Sequence, residues 1–236
     1  MITAAQTPSP GPVIVAAKVR TVDLAGPAGK LEAVVNEGDA DAPCSALVCH
    51  PHPLGGGSMH NKVVYHAMKA LNAPEWGLGW PVLRFNFRGT GLSEGAHDGN
   101  AERDDVTAAI DWLNKAYGRP VVVVGFSFGA AMSLKAVCER SAEPQSCVRA
   151  IAALGLPTNA QGHAFHYSLL KNCGIPKLFL SGDCDQFAPA SELARVAEAA
   201  GEPRKVVFIE SADHFFTGRL EPMQRALAAW VKEQVQ

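Results

Sequence analysis

The pentapeptide Gly125-Phe126-Ser127-Phe128-Gly129 carries the sharpest chemical signal in the chain. It directly follows four consecutive valines, Val121 to Val124, and opens a stretch with helical character. A strand-to-helix turn this tight forces its central residue into strained backbone geometry and exposes the serine Oγ. Glycine at both ends relieves the clashes of such a close approach. The helix that begins there aims its free N–H groups at any oxyanion forming nearby. Ser127 is therefore a candidate nucleophile; the plain alternative is a helix-capping serine without chemistry. A serine hydroxyl needs a base, and the base needs an orienting acid. His214, within Ser211-Ala212-Asp213-His214-Phe215-Phe216, follows the last predicted strand and falls on the same sheet edge as Ser127. Gly182-Asp183-Cys184-Asp185, after the preceding strand, offers two carboxylates. Asp183 adjoins Gly182, where an aspartate often caps a turn. Asp185 lies further out and is the favoured orienting acid, with Asp183 stabilising the loop.

Acyl transfer also requires two donors for a tetrahedral oxyanion. The residue after the nucleophile, Phe128, supplies one backbone N–H. The other is sought in His50-Pro51-His52-Pro53-Leu54, where Pro51 and Pro53 have no N–H to give. His52 and Leu54 remain, and His52 is preferred because flanking prolines fix its backbone direction. His50 and the His52 ring read as scaffold or pocket groups. His60, His66 and His97 have no evident acid partner, and His163 and His166 are candidates to line the pocket. The tract Leu54-Gly55-Gly56-Gly57-Ser58 lacks the Gly-Lys-Ser/Thr ending of a phosphate loop. Gly125 to Gly129 does not fit a dinucleotide fingerprint. The carboxylates of Glu102-Arg103-Asp104-Asp105 open a predicted helix and read as complements to its dipole, with a metal site the minor reading.

These residues need elements to hold them. Strands are predicted at Val13–Leu24, Leu31–Asn36, Ser45–Cys49, Pro81–Phe87, Pro120–Val124, Val148–Leu154, Lys177–Leu180 and Val206–Ile209. Helices are predicted at Asn61–Ala73, Ala101–Tyr117, Phe128–Arg140, Ala190–Ala200 and Glu221–Val235. Val106, Ala109, Ile110 and Leu113 show the spacing of an amphipathic helix, and the valine run reads as a strand buried on both faces. Alternation of this kind implies a mostly parallel sheet with helices on both faces, the first two strands forming an antiparallel edge. The stretch Thr158 to Gly174 reads as a helix behind a long lead-in loop. Residues 1–12 read as a flexible arm and 13–236 as one domain, with no repeat, linker or composition break.

Together, Gly-Phe-Ser-Phe-Gly, Gly-Asp-Cys-Asp and Asp-His-Phe-Phe, in that order, resemble the α/β-hydrolases. His50-Pro51-His52-Pro53 through Asn61-Lys62-Val63-Val64, with Phe85-Asn86-Phe87-Arg88-Gly89-Thr90-Gly91, is similar to a group of small prokaryotic serine hydrolases without a lid domain. The resemblance implies an eight-stranded α/β-hydrolase fold with no cap. It implies Ser127 as nucleophile, Asp185 as acid, His214 as base, and His52 and Phe128 as oxyanion donors. The usual loop of the family reads His-Gly where this chain has His50-Pro51. The implied activity is cleavage of a carboxylic ester, with a thioester or amide as the alternative scissile bond. Phe126, Phe128, Phe165, Phe187, Phe215 and Phe216 are candidate apolar walls, and Leu54, Phe187 and Phe215 are candidate substrate-binding side chains. The different-class alternative is a non-catalytic ligand-binding protein on the same fold.

Composition narrows the setting. The chain of 236 residues has 21 basic and 23 acidic side chains, a formal charge of −2. That lacks the footprint of a nucleic-acid binder, and 47% hydrophobic residues exclude a disordered chain. No segment has the length of a membrane span. Without a basic leader or an apolar signal core, the expected location is cytoplasmic. The six cysteines, Cys44, Cys49, Cys138, Cys147, Cys173 and Cys184, have no Cys-x-x-Cys spacing and are expected as free thiols in a reducing compartment. A serine mechanism requires no metal or organic cofactor. The expected partner is a small-molecule ester, with monomer and homodimer both open.

Overall fold

The computed structural model describes residues 18–140, 146–160 and 163–235. The N-terminal arm and the first residues of the predicted Val13–Leu24 strand lie outside this range.

Eight strands form one sheet: β1 (Val19–Gly26), β2 (Gly29–Asn36), β3 (Ser45–Cys49), β4 (Val82–Phe85), β5 (Val121–Phe126), β6 (Val148–Leu154), β7 (Lys177–Gly182) and β8 (Arg204–Ile209). Their spatial order is β1-β2-β4-β3-β5-β6-β7-β8. β1 and β2 pair antiparallel across the turn Pro27-Ala28, in register from Val19↔Asn36 to Gly26↔Gly29. β2 is antiparallel to β4. Every pair from β4 through β8 is parallel. Among the described residues five α-helices connect and cover the strands: α1 (Lys62–Asn72), α2 (Glu102–Tyr117), α3 (Phe128–Arg140), α4 (Ala190–Glu198) and α5 (Leu220–Val235).

The valine run explains the layering. Side chains alternate across a strand, so Val121 and Val123 enter one core with Leu47 and Cys49, while Val122 and Val124 enter another with Ala46 and Val48. The first core is roofed by α2, α3 and α4 through Val106, Ile110, Leu134, Val137 and Leu193. The second is roofed by α1 and α5 through Val64, Met68, Leu71, Leu227 and Trp230. A strand sandwiched by two helical layers has no polar face, hence four valines in succession.

Two expectations are corrected. Among its described residues the β6–β7 connection carries no α-helix: Asn159–Ala160 and His163–Ala164 form a short antiparallel ladder, and Ser168–Asn172 a 3-10 turn. A short ladder and one 3-10 turn occupy the described part of this segment in place of the predicted helix. The six cysteines are not all thiols either, because Cys138 and Cys173 form a disulfide. The last turn of α3 packs on the 3-10 turn and brings their Cα atoms to 5.1 Å, a proximity that a separation of 35 positions conceals in the sequence. This pairing withdraws the cysteine argument for a reducing compartment. Among the described residues, no helix is long and apolar enough to cross a membrane.

The loop after β4 is tied to α2 by a buried ion pair. Arg88 donates to Asp105 from its backbone N–H at 3.1 Å, from Nε at 3.0 Å and from Nη2 at 2.7 Å. Asp105 is fully buried. Removing one partner of such a pair strands the other charge without water. Asp105→Ala should therefore lower stability by about 3–5 kcal/mol, read as a shifted midpoint in denaturant unfolding, whereas exposed Asp104→Ala should change it little.

Candidate active site

The parallel strands all end on one edge, and the loops there gather the residues singled out above. Ser127 follows β5 directly with φ +55°, in the left-handed region. A non-glycine residue there costs about 1–3 kcal/mol and persists only when its surroundings hold it. Here they do: Ser127 N–H donates to the Leu154 carbonyl at 2.8 Å, and its own carbonyl accepts from Ala130 and Ala131 in the first turn of α3. The flanking glycines permit that packing. A Cβ on Gly125 would sit 2.5 Å from Ala130 Cα, and one on Gly129 would sit 2.5 Å from the His50 carbonyl oxygen. Gly129 thus lets the His50–His52 loop press against the start of α3.

Ser127 Oγ lies 2.9 Å from His214 Nε2. On its other side His214 Nδ1 lies 2.8 Å from Asp185 Oδ2. Asp185 therefore holds the imidazole so that Nδ1 carries its proton and Nε2 faces the serine as an acceptor. The carboxylate is itself held. Ser181 Oγ donates to Oδ2 at 2.8 Å, and the Phe187 and Ala188 N–H groups donate to Oδ1 at 2.8 and 3.1 Å. Burial alone would raise the Asp185 pKa, but the His214 partner and these donors outweigh it and keep the carboxyl below its usual range. Asp183 is exposed on the same loop, and its backbone N–H donates to Ile209. The two carboxylates of one tetrapeptide are thereby separated: Asp185 points inward and Asp183 outward.

His214 is 3% exposed and is enclosed by the rings of Phe187 at 4.7 Å, Phe126 at 5.1 Å and Phe215 at 5.2 Å. Its loop is braced by Asp213, which accepts from the Phe215 and Thr217 N–H groups at 3.0 and 2.9 Å. These donors, Thr217 foremost, lower the Asp213 pKa. Gly155, with φ +52°, passes beneath the imidazole, where a Cβ would lie 3.1 Å from Cε1. The roles of Ser181, Asp213 and Gly155 escaped the sequence reading. The Asx signal of Asp213, two residues before Phe215, was the one cue available.

Of the candidate oxyanion donors, Phe128 follows Ser127 directly, and the His52 ring lies 4.9 Å from the Phe128 ring. Neither the His52 nor the Phe128 backbone N–H has a hydrogen-bond acceptor among the described residues. Leu54 N–H, the alternative donor, is already engaged by His52 Nδ1 at 3.2 Å. His50 is scaffold. It is fully buried, its Nδ1 donates to the Pro51 carbonyl at 2.6 Å, and its Nε2 accepts from Phe87 N–H at 3.0 Å. Of the candidate walls, Phe126 and Phe216 are fully buried and Phe128 nearly so. Leu54 is 82% exposed and Phe215 48%, while Phe187 is half-buried. His97 does have an acid partner: its Nδ1 lies 2.7 Å from Glu102 Oε1. Asp105 thus binds Arg88, and Glu102 lies against His97 in a close contact that is not aligned as a hydrogen bond, rather than both only complementing the α2 dipole. His66 pairs with Gln224 at 2.9 Å on the opposite core, and His166 is exposed. The His163 side chain lies outside the described residues. No cluster of three or more His, Cys, Asp or Glu side chains suited to a metal occurs among the described residues.

An alpha/beta hydrolase domain family model matches residues 45–232, which include every one of these site residues. The chain belongs to the α/β-hydrolase family. This hydrolase is 35% identical over 210 residues to an uncharacterized protein of Rickettsia prowazekii, spanning 86% of this chain and 84% of the relative. Its fold superposes on a Xanthomonas campestris protein described as an a/b serine hydrolase without lid, with a TM-score of 0.76 and 29% identity over 94% of this chain and 97% of that one. An alpha-beta serine hydrolase homologue from Coxiella burnetii matches with a TM-score of 0.77 and 30% identity, covering 93% of this chain and all of that one.

Burial also gives this hydrolase a pH-dependent brace. Desolvation lowers the His50 pKa from 6.5 to about 4. The unfolded chain therefore takes up this proton near pH 6.5, whereas the native one resists until about pH 4. The stabilisation is complete above pH 6.5 and is lost as pH falls toward 4, about 3 kcal/mol in all. His50→Gln keeps an amide donor and acceptor but cannot titrate. The stability gap between wild type and His50→Gln should shift by about that amount against the wild type between pH 7 and 4, as measured by urea unfolding.

Proposed function

We propose that the protein is a serine hydrolase that cleaves a carboxylic ester through an acyl-enzyme on Ser127. One observation carries this reading: a serine in left-handed geometry at a strand end, 2.9 Å from an imidazole whose far nitrogen is 2.8 Å from a buried carboxylate. His214 Nε2 takes the Ser127 proton as Oγ bonds to the ester carbonyl carbon, and the carbonyl π pair moves onto oxygen. The His52 and Phe128 N–H groups receive that oxyanion. Collapse expels the alkoxide, which takes the proton back from His214. A water then repeats the sequence, yielding the acid and restoring Ser127. Asp185 remains ionised and stabilises the imidazolium.

The exposed Leu54 and Phe215 side chains and the half-buried Phe187 support an open apolar rim suited to short or flexible acyl chains. The description of the Xanthomonas campestris relative as lid-less is consistent with such a site. On this reading residues 13–236 act as one domain in the cytoplasm.

A fluorophosphonate probe should label the folded wild type at Ser127 and leave Ser127→Ala unlabelled; an unlabelled wild type would refute the hydrolase reading. Asp185→Asn should lower kcat for a p-nitrophenyl ester by about 10⁴-fold. Asp183→Asn should stay within about threefold, because that carboxylate faces solvent. Across p-nitrophenyl esters of increasing acyl length, kcat/KM should peak at short chains, and a strong preference for long chains would count against the open rim.

A further inference from the structure

Glu102 sits in the first turn of α2 with no exposure, though it is not part of the Ser127–His214–Asp185 chain. Its Oε1 accepts from Asp98 N–H at 3.0 Å and lies 2.7 Å from His97 Nδ1. Its Oε2 has no hydrogen-bond partner, and neither has His97 Nδ1, whose contact with Oε1 is close but not aligned as a hydrogen bond. A buried carboxylate is costly unless another group holds it, and here the nearest such group is the His97 ring, whose side chain is 13% exposed.

The other faces of that ring meet the oxyanion loop. His97 stands edge-on to His52 with centroids 4.8 Å apart, and edge-on to Phe128 at 5.4 Å. His52 and Phe128 are themselves 4.9 Å apart. The three rings close a triangle, and two of its corners belong to His52 and Phe128, the candidate oxyanion donors, whose N–H groups have no acceptor among the described residues. His52 needs such a contact. Its residue is exposed, as are Leu54, Gly55 and Gly56 after it, and its hydrogen bond to Leu54 is internal to the loop. Phe128 is fixed by helix α3 and by Phe87 at 5.6 Å. Gly89, where a Cβ would come within 2.9 Å of His97 N, lets the His97 segment fold back against the end of β4.

We propose that His97, anchored by Glu102, is a positioning residue that holds the His52 N–H in register with the Phe128 N–H as the second oxyanion donor. The assignment rests on the serine-hydrolase reading above. It acts on a group whose value lies in the tetrahedral state, so its loss should fall on kcat and leave KM nearly unchanged. Removing a donor outright costs about 10²–10³ in kcat; a donor that is present but loosened should cost about tenfold.

The experiment uses wild type, His97→Ala, Glu102→Ala and Glu102→Gln, with rates expressed per Ser127 titrated by fluorophosphonate. Expected for both alanine variants is a fall in kcat of about tenfold for p-nitrophenyl acetate, with KM within twofold. Affinity for phenylboronic acid, whose serine adduct is tetrahedral, should fall in proportion to kcat. Glu102→Gln, which keeps an oxygen where Oε1 lies, should lose less than half as much on a logarithmic scale. Should His97→Ala yield no titratable protein, His97→Gln carries the same expectation. A rate per titrated site within twofold of wild type, or a loss confined to KM, overturns the proposal while leaving the hydrolase reading intact. An untitratable, inactive wild type would instead overturn that reading itself.

Discussion

The site depends on one strained residue. Ser127 occupies left-handed backbone space where the sheet gives way to a helix, and nothing local makes that favourable for a serine. It is held by the Leu154 carbonyl on the neighbouring strand and by the first turn of α3. Gly125 lets the first turn of α3, and Gly129 the Cys49–His50 backbone, approach more closely than any side chain would allow. The same absence of Cβ atoms brings the His50–His52 loop against the helix start. The turn that exposes Oγ and the loop that flanks it are therefore consequences of a single packing arrangement.

Polar atoms around the site are held by a second rule, that buried groups must find partners. Asp185 accepts from a serine, two backbone amides and an imidazole. His50 donates on one side and accepts on the other. Arg88 and Asp105 lock the loop after β4 onto α2. Each partnership converts a flexible loop into a fixed one, and an active site on loops needs that rigidity. The sheet supplies the common origin: β3, β4, β5, β7 and β8 all deliver their carboxyl ends to the same edge.

Much of this was legible in the chain. The strand segments after residue 18 and the five helices appear at or within a few residues of their predicted bounds, because alternating and helical hydrophobic spacing report directly on burial. The Gly-x-Ser-x-Gly context marked Ser127, and the choice of Asp185 over Asp183 agrees with which carboxylate is buried. The failures share a cause. The Cys138–Cys173 bond, the His97–Glu102 pair and the 3-10 turn before β7 depend on which surfaces meet after folding, and no periodicity encodes that.

By itself, the sequence determined the fold class and marked a serine at a strand-to-helix turn as a candidate nucleophile, since these follow from hydrophobic period and from glycine placed at that turn. Only the tertiary structure decided that Cys138 meets Cys173, that Glu102 lies against His97, and which aromatic rings are buried rather than exposed. Those outcomes turn on how segments far apart in the chain pack against one another. Burial then fixed the charge states, because a group removed from water takes its properties from the neighbours that packing provides.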